Sequence, residues 1–471
     1  MSKRIVVVGG GISGLAAAHR VTELEPTADV QLLEASDRLG GAIQTVRRDG
    51  FLIERSADSF ITNVPWAVDL CKRLGIESQL ISASAQFRRA FVVHKGQLEP
   101  VPDGFTLMSP ARLMPVLRSP LLSVRGKLRL LAEVFMPEKD VSDESLESFA
   151  VRRLGREVFD RLVQPLVGGI YTADPQKLSL AATMPRFLEM ERTWGSLTRA
   201  AFAQRRDRSN RGEHESGARY SLFMTLRDGL SALVAALAER LPPAGIKLNT
   251  CVDRLGRSDG RWAVRCTREG QASEIEADAV IMALPAPQAA ALLRGIAVEL
   301  AEELDGIPYG SSVVITTAYR RDQIAHALDG FGFVVPAVEQ RRILATSFSS
   351  VKFPGRAPEG TVLLRTFVGG ASQPKLAELD DEQLLSIVAD ELGALIQLSG
   401  EPLLTDVARW TAAMPQYHVG HCDRVERLER LAGELAGFAL AGNAYHGVGI
   451  PHCIHSGEAA AERVVAKHSA D

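Results

Sequence analysis

The run Arg4-Ile5-Val6-Val7-Val8-Gly9-Gly10-Gly11-Ile12-Ser13-Gly14-Leu15-Ala16-Ala17-Ala18 decides the fold. Ile5 to Val8 is an unbroken β-branched stretch, the pattern of a strand covered on both faces in a parallel sheet. Leu15 to Ala18 are strong helix formers. Between them Gly9, Gly11 and Gly14 keep the G-x-G-x-x-G spacing, with Gly10, Ile12 and Ser13 filling the loop. The first glycine permits the tight turn, the second lets backbone approach a pyrophosphate, and the third lets helix and strand pack closely. Phosphates would rest at the helix N-terminus, where free N–H groups and the helix dipole favour negative charge. A second strand, Val30 to Leu33, runs into Glu34 and Ala35. Glu34 follows Gly14 at about the 20-residue offset of a ribose-binding carboxylate.

Just beyond this acid comes Arg38-Leu39-Gly40-Gly41. A plain NAD domain has no need of a second Gly-Gly here. A chain passing close to the phosphates and ribityl arm of FAD does, because a β-carbon would obstruct it. The far end of the sequence carries a matching unit. Phe438 to Ala441 reads as a short buried strand, followed by Gly442, Asn443 and Gly447-Val448-Gly449-Ile450-Pro451, then a helix containing Gly457. Helix N-terminal amides at the flavin N1/C2=O edge would stabilise a reduced, anionic ring. Ala279 to Leu284 reads as a central strand stopped by Pro285. Glycine-rich units at both ends of the chain are explained by one discontinuous FAD domain.

The chain's 471 residues imply two or three packed domains, and 46% hydrophobic with 24% charged residues is ordinary globular composition. A net charge of -3 gives no general attraction to nucleic acid. Five cysteines without a C-x-x-C are read as reduced thiols of a cytoplasmic protein. The start runs straight into a strand, so no signal peptide is expected, and no apolar run approaches the ~18 residues of a spanning helix. Phe105 to Leu131, rich in Leu, Met and Pro, reads as a helical layer, with peripheral contact at the inner face of a membrane as the alternative. Gln204 to Arg219 reads as a mobile charged loop. His418 with His421 and His452 with His455 are each three apart, which would put each pair on one helix face, but nearby residues complete no ligand set and no metal is expected.

Taken together, these segments resemble the protoporphyrinogen oxidase family, in particular the soluble bacterial form that acts on coproporphyrinogen. The resemblance runs through Asp58-Ser59-Phe60, Gly169-Ile170-Tyr171, Met414-Pro415-Gln416-Tyr417-His418 and Gly447 to Pro451. It implies an α/β (α+β) fold: a discontinuous Rossmann-like FAD domain (1–75, 218–297, 406–471), a mixed-sheet substrate domain (76–105, 298–405) and a helical domain (106–217). It implies cofactor contacts at Gly9 to Gly14, Glu34, Arg38, Ala42, Ser56, Ala57, Asp58, Ser59, Val252, Trp410, Asn443, Val448, Gly449 and Ile450. One departure is visible: the family's Gly-Pro before Asp-Ser-Phe is Ser56-Ala57 here.

The implied activity is oxygen-dependent oxidation of coproporphyrinogen or protoporphyrinogen in heme biosynthesis. A hydride from a bridge carbon would pass to FAD, and oxygen would leave as hydrogen peroxide. Aromatisation drives the reaction, so no strong side-chain base is sought. The resemblance gives the Gly169 carbonyl the role of orienting the macrocycle and makes Val334, Ser347 and Phe367 slot-lining residues. Arg89 is the nearest cation for a propionate, beside Ala90, where some relatives carry the basic residue. Ferrochelatase is a candidate partner, and the oligomeric state is not legible. The alternatives are another amine-oxidase-like flavin oxidase or desaturase, a non-catalytic flavin- or porphyrin-binding heme-assembly partner, and a nicotinamide dehydrogenase.

Overall fold

The computed structural model describes residues 2–139, 141–210 and 223–466. In chain order, the elements that build the sites are β1 (Arg4–Val8), α1 (Ile12–Leu24), β2 (Asp29–Leu33), β3 (Phe91–His94), β4 (Gln97–Pro100), α2 (Gln164–Tyr171), β5 (Ile246–Lys247), β6 (Thr250–Ser258), β7 (Ala279–Met282), β8 (Tyr309–Arg320), β9 (Gly332–Val334), β10 (Ala345–Phe348), α3 (Ser349–Lys352), β11 (Thr361–Gly369), α4 (Asp381–Ile396), β12 (Leu404–Pro415), α5 (His421–Glu434), β13 (Phe438–Leu440) and α6 (Ile450–Ala466).

A five-stranded parallel sheet, ordered β5-β2-β1-β7-β13, collects strands from both ends and the middle of the sequence. Ile5 and Val7 face a core shared with α1 and α6, and Val6 and Val8 face a second core that includes Ala289, Leu304 and Val425. Burial on both faces is why β1 is apolar at every position rather than at alternate ones. Helix α1 is clamped between sheet and α6 at glycine distance. A Cβ on Gly14 would lie 1.9 Å from the Gly9 carbonyl oxygen, and one on Gly457 would lie 2.1 Å from that of Ser13.

The second sheet has seven strands in the order β12-β8-β11-β10-β9-β3-β4 and is antiparallel except between β9 and β3. Phe91, Val93, Phe333, Val335, Phe348, Leu364 and Val368 pack on α4. Strand alternation turns Val92, Val334, Ser347, Arg365 and Phe367 to the opposite face. There Val92 and Val334 meet a helical core built from residues between 105 and 200. Leu146, Phe149, Val158, Phe159 and Leu162 are buried in that core, as their helical spacing predicts.

Two sequence expectations are corrected. Residues 404–415 form an edge strand of the seven-stranded sheet, paired along nearly the whole of β8, so that sheet extends past the expected boundary at 406. The expected loop from Gln204 is helical through Asn210, as part of the helix Leu197–Asn210. High charge does not prevent a helix that Leu197, Ala200 and Ala201 anchor. Residues 211–219 lie outside the described residues.

The close approach of α1 and α6 is testable. Gly457→Ala is expected to destabilise the protein by about 1–3 kcal/mol through overpacking. Gly393→Ala, inside α4 with its nearest neighbour at 3.6 Å, is expected to stabilise it by about 0.5–1 kcal/mol. Urea unfolding of the two variants measures both, and equal effects would contradict the packing argument.

Candidate functional site

The loop after β1 and the loop after β2 lie against each other. Gly40 N–H donates to the Gly10 carbonyl at 2.8 Å, and Gly11 pairs with Gly40 in an isolated bridge. Glu34 is fixed by three hydrogen bonds, from Gly10 N (2.7 Å), Ser36 N (2.9 Å) and Ser36 Oγ (2.7 Å). A carboxylate offers about four acceptor positions, so it keeps capacity for a ribose hydroxyl. Arg38 closes its own loop by donating to the carbonyls of Leu39, Gly41 and Ile43. The start of β6 joins here, with Thr250 N–H on the Glu34 carbonyl (2.8 Å), which brings half-buried Val252 to the same end of the sheet.

The glycines separate what packing demands from what a ligand demands. A Cβ on Gly9 would lie 2.5 Å from the Ala283 carbonyl oxygen, so packing alone requires that glycine. A Cβ on Gly11 would meet nothing nearer than the Gly41 Cα at 4.0 Å. Ala35, Gly41 and Ala42 are exposed beside it. Small residues therefore line a trough that the protein itself does not fill, at the N-terminus of a 13-residue helix. Ile12 and Ser13, inside the first turn of that helix, are buried. This arrangement fits the pyrophosphate of FAD.

The C-terminal turn approaches the same edge. The Tyr417 hydroxyl donates to the Asn443 carbonyl and accepts from Gly447 N–H at 3.0 Å, bridging the two ends of the turn. The His421 ring stacks on Tyr417 with centroids 4.0 Å apart, and its Nε2 lies 3.0 Å from the Tyr445 carbonyl. Val448 and Gly449 are half-buried, and Ile450 opens α6. Burial pushes the His421 imidazole down to about 4. Sequence reasoning quoted Tyr417 within a motif but gave neither it nor His421 a role. The recognisable signal was a tyrosine beside a glycine-rich turn that needs its carbonyls satisfied.

A third wall comes from Ser56 to Ser59, with Ala57 exposed. Trp410 Nε1 donates to the Arg55 carbonyl at 2.8 Å, and Arg55 holds Asp406 at 2.6 Å. Opposite, Gly169 lies in the last turn of α2, where backbone carbonyls lack helical partners. A Cβ on it would lie 3.8 Å from Val334 Cγ1. Gly169, Val334, Ser347 and Phe367 thus converge on one sheet face, and Phe367 is half-buried between buried neighbours. Arg89 is engaged elsewhere. It forms an ion pair with Asp329, and its guanidinium lies 5.3 Å from the Phe91 ring centroid, on the α4 side. Arg88 precedes the strand, and its Nε is buried without an acceptor.

His421, His452 and His455 pack on aromatic rings. His418 precedes α5, so it shares no helix face with His421. His455 stacks on Trp66 at 4.0 Å, and His452 meets the same ring edge-on. Among the described residues no three His, Cys, Asp or Glu side chains converge as a metal site.

Residues 12–465 match the model of the family described as flavin containing amine oxidoreductase. The chain is similar to coproporphyrinogen III oxidase of Bacillus subtilis (34% identity, 97% of each chain). It is also similar to the chloroplastic protoporphyrinogen oxidase of Nicotiana tabacum (32% identity, 98% of this chain and 85% of the other). A solved structure from Exiguobacterium sp. 255-15 superposes with TM-score 0.86 at 31% identity, over 98% of this chain and 99% of that one. A reduced UDP-galactopyranose mutase shares the fold, with TM-score 0.74 at 16% identity over 99% of this chain and 96% of that one.

His421 supplies a prediction with a fixed sign. Its folded value near 4 lies below the ordinary 6.5, so between those values the unfolded chain binds more protons. Stability therefore rises with pH across that window and is flat for this group above it. His421→Gln is expected to remove the slope, worth up to about 3 kcal/mol. Urea unfolding at pH 4.5 and 7 measures it, and an unchanged pH dependence would refute the assignment.

Proposed function

The chain belongs to the flavin containing amine oxidoreductase family and is an oxidoreductase with FAD as cofactor; on that premise we propose that it oxidises a porphyrinogen, coproporphyrinogen III in preference to protoporphyrinogen IX, in heme biosynthesis. The single observation that carries the substrate is the apolar face where Gly169 meets Val334 beside Phe367. A flat macrocycle needs an apolar slot with few polar anchors. Relatives in Bacillus subtilis and Staphylococcus aureus named coproporphyrinogen III oxidase, at 34% and 31% identity, support the preference.

FAD, when bound, would supply the hydride acceptor and the route of electrons to oxygen, with hydrogen peroxide as the product. The residues of this chain do the rest. Gly9 to Gly14 and Gly40-Gly41 hold the pyrophosphate, and Glu34 takes the ribose. Tyr417 fixes the turn that carries Asn443 and Val448 to Ile450. Val334 and Phe367 exclude water and offer a ring face for a pyrrole. The Gly169 carbonyl orients the bridge carbon that loses hydride. For a propionate we favour Arg88, whose buried Nε has no acceptor, over Arg89, which Asp329 already neutralises.

The test is aerobic turnover of each porphyrinogen by the yellow protein, followed by porphyrin fluorescence and peroxide. Faster coproporphyrin formation is expected, and tight porphyrin binding with no peroxide would make the chain a binding partner instead. In the same assay Arg88→Ala is expected to raise KM roughly tenfold, as loss of a charge-assisted contact does, with kcat little changed. Arg89→Ala is expected to leave KM nearly unaltered, and the opposite ranking would return the role to Arg89.

No helix of the described residues is long and apolar enough to cross a membrane. Exposed Met114, Val124, Leu128 and Phe135, with Arg118 and Arg125 exposed among them, support peripheral contact with an anionic lipid surface. Co-sedimentation with phosphatidylglycerol vesicles that is lost in Leu128→Glu/Phe135→Glu is the expected result, and no sedimentation of the parent chain would dismiss the contact.

A further inference from the structure

Where Ser56 to Ser59 meets the seven-stranded sheet, three charged side chains are packed together away from water. Asp58 lies between Lys352 Nζ, 3.0 Å from its Oδ1, and Arg365 Nη1, 3.1 Å from its Oδ2. Lys352 also donates to Ser59 Oγ at 3.1 Å, and Arg365 donates to the Ser56 carbonyl. The side chains of Asp58, Lys352 and Arg365 are 13%, 13% and 3% exposed. Despite that burial, the two cations hold the Asp58 carboxyl far below the usual carboxylate range, so it is ionised.

The count is two positive charges against one negative. Neighbouring charges do not change it. Arg55 is matched by Asp406, and buried Arg356 is opposed by Glu54. Burial pushes the Glu54 carboxyl up, and protonating it would only enlarge the positive excess. Arg365 Nε is itself buried without an acceptor. The rings of Phe223 and Phe353, 5.0 and 5.1 Å from Lys352 Nζ, take up part of the excess; a full match away from water would need an anion that arrives from outside the polypeptide.

We propose that the anion is the reduced cofactor, and that Lys352 and Arg365 leave one unit of positive charge behind the Ser56–Ser59 strip to raise its midpoint potential. FAD gains two electrons and one proton on reduction and then carries one negative charge on its ring, whereas the oxidised ring is neutral. A fixed positive charge therefore favours the reduced form. The inference rests on the reading that Ser56 to Ser59 lines the isoalloxazine, and it adds a tuning role for two residues that no motif identified. Both are positioning residues that act through charge.

The test is the midpoint potential of bound FAD in the holoprotein at pH 7, taken against a reference dye. Lys352→Met leaves a neutral Asp58–Arg365 pair, and the ratio of reduced to oxidised FAD at a given potential is expected to fall roughly tenfold, about 30 mV for a two-electron couple. Asp58→Asn leaves two cations, and its shift is expected in the opposite direction. The double variant restores the original count and is expected to return to the parent value. Should one single variant fail to load FAD, the sign of the other still decides. Potentials that stay put, or that fall in both single variants, overturn the proposal. A changed KM for porphyrinogen at unchanged potential also overturns it, by giving the charge to a substrate carboxylate. A parent chain that took up no FAD would be a different failure, that of the cofactor itself.

Discussion

Close backbone approach around α1 is the constraint on which the rest of the molecule depends. Gly14 lets α1 settle onto the turn after β1, and Gly457 lets α6 settle onto α1. A side chain at Gly14 would lift α1 off that turn, and one at Gly457 would push the two helices apart, so either would separate two glycine-rich turns that lie more than four hundred residues apart in sequence. Van der Waals contact at this range decides where a dinucleotide can lie, because the turns have few side chains of their own with which to reach for it. The protein spends conformational freedom at its glycines and gains a backbone-lined trough.

The second organising feature is the seam between the two sheets. The strip from Arg55 to Ser59 is bonded to side chains of β11, β12 and α3 as well as to Gln44 in its own N-terminal segment. Its position is thus set in part by the seven-stranded sheet and α3. The family's Gly-Pro is absent here, and Ser56-Ala57 could adopt several shapes if left alone. The ionic and hydrogen-bond contacts of Asp406, Arg365, Lys352 and Trp410 remove that freedom. The strip and the seven-stranded sheet are therefore tied together at several points.

Much of the cofactor site was legible in the sequence because its signals are local. A glycine at a tight turn, an acid a fixed distance on and a strand read from β-branching depend on neighbours in sequence, and the structure gathers Gly10, Gly11, Glu34 and Gly41 around the start of α1. The substrate side was less legible. Val334 and Phe367 were placed by resemblance, and what distinguishes Arg89 from Arg88 is its ion pair with Asp329, a residue distant in sequence. Tyr417 stood in a quoted motif and His421 in a histidine pair, yet their task, holding the carbonyls of a turn between residues 443 and 447, exists only once α5 and that turn are side by side.

By itself, the sequence determined the parallel strand β1, the dinucleotide loop, the paired glycine motif that selects FAD over a nicotinamide, and the discontinuous domain, since each follows from residue type and short spacing under steric and hydrogen-bonding rules. Only the tertiary structure decided that β12 belongs to the second sheet, that Arg89 is spent on Asp329, and that Asp58 is shared by Lys352 and Arg365. Those are contacts between residues tens to hundreds of positions apart, and their partners are chosen by the register and packing of whole sheets, which no local pattern encodes.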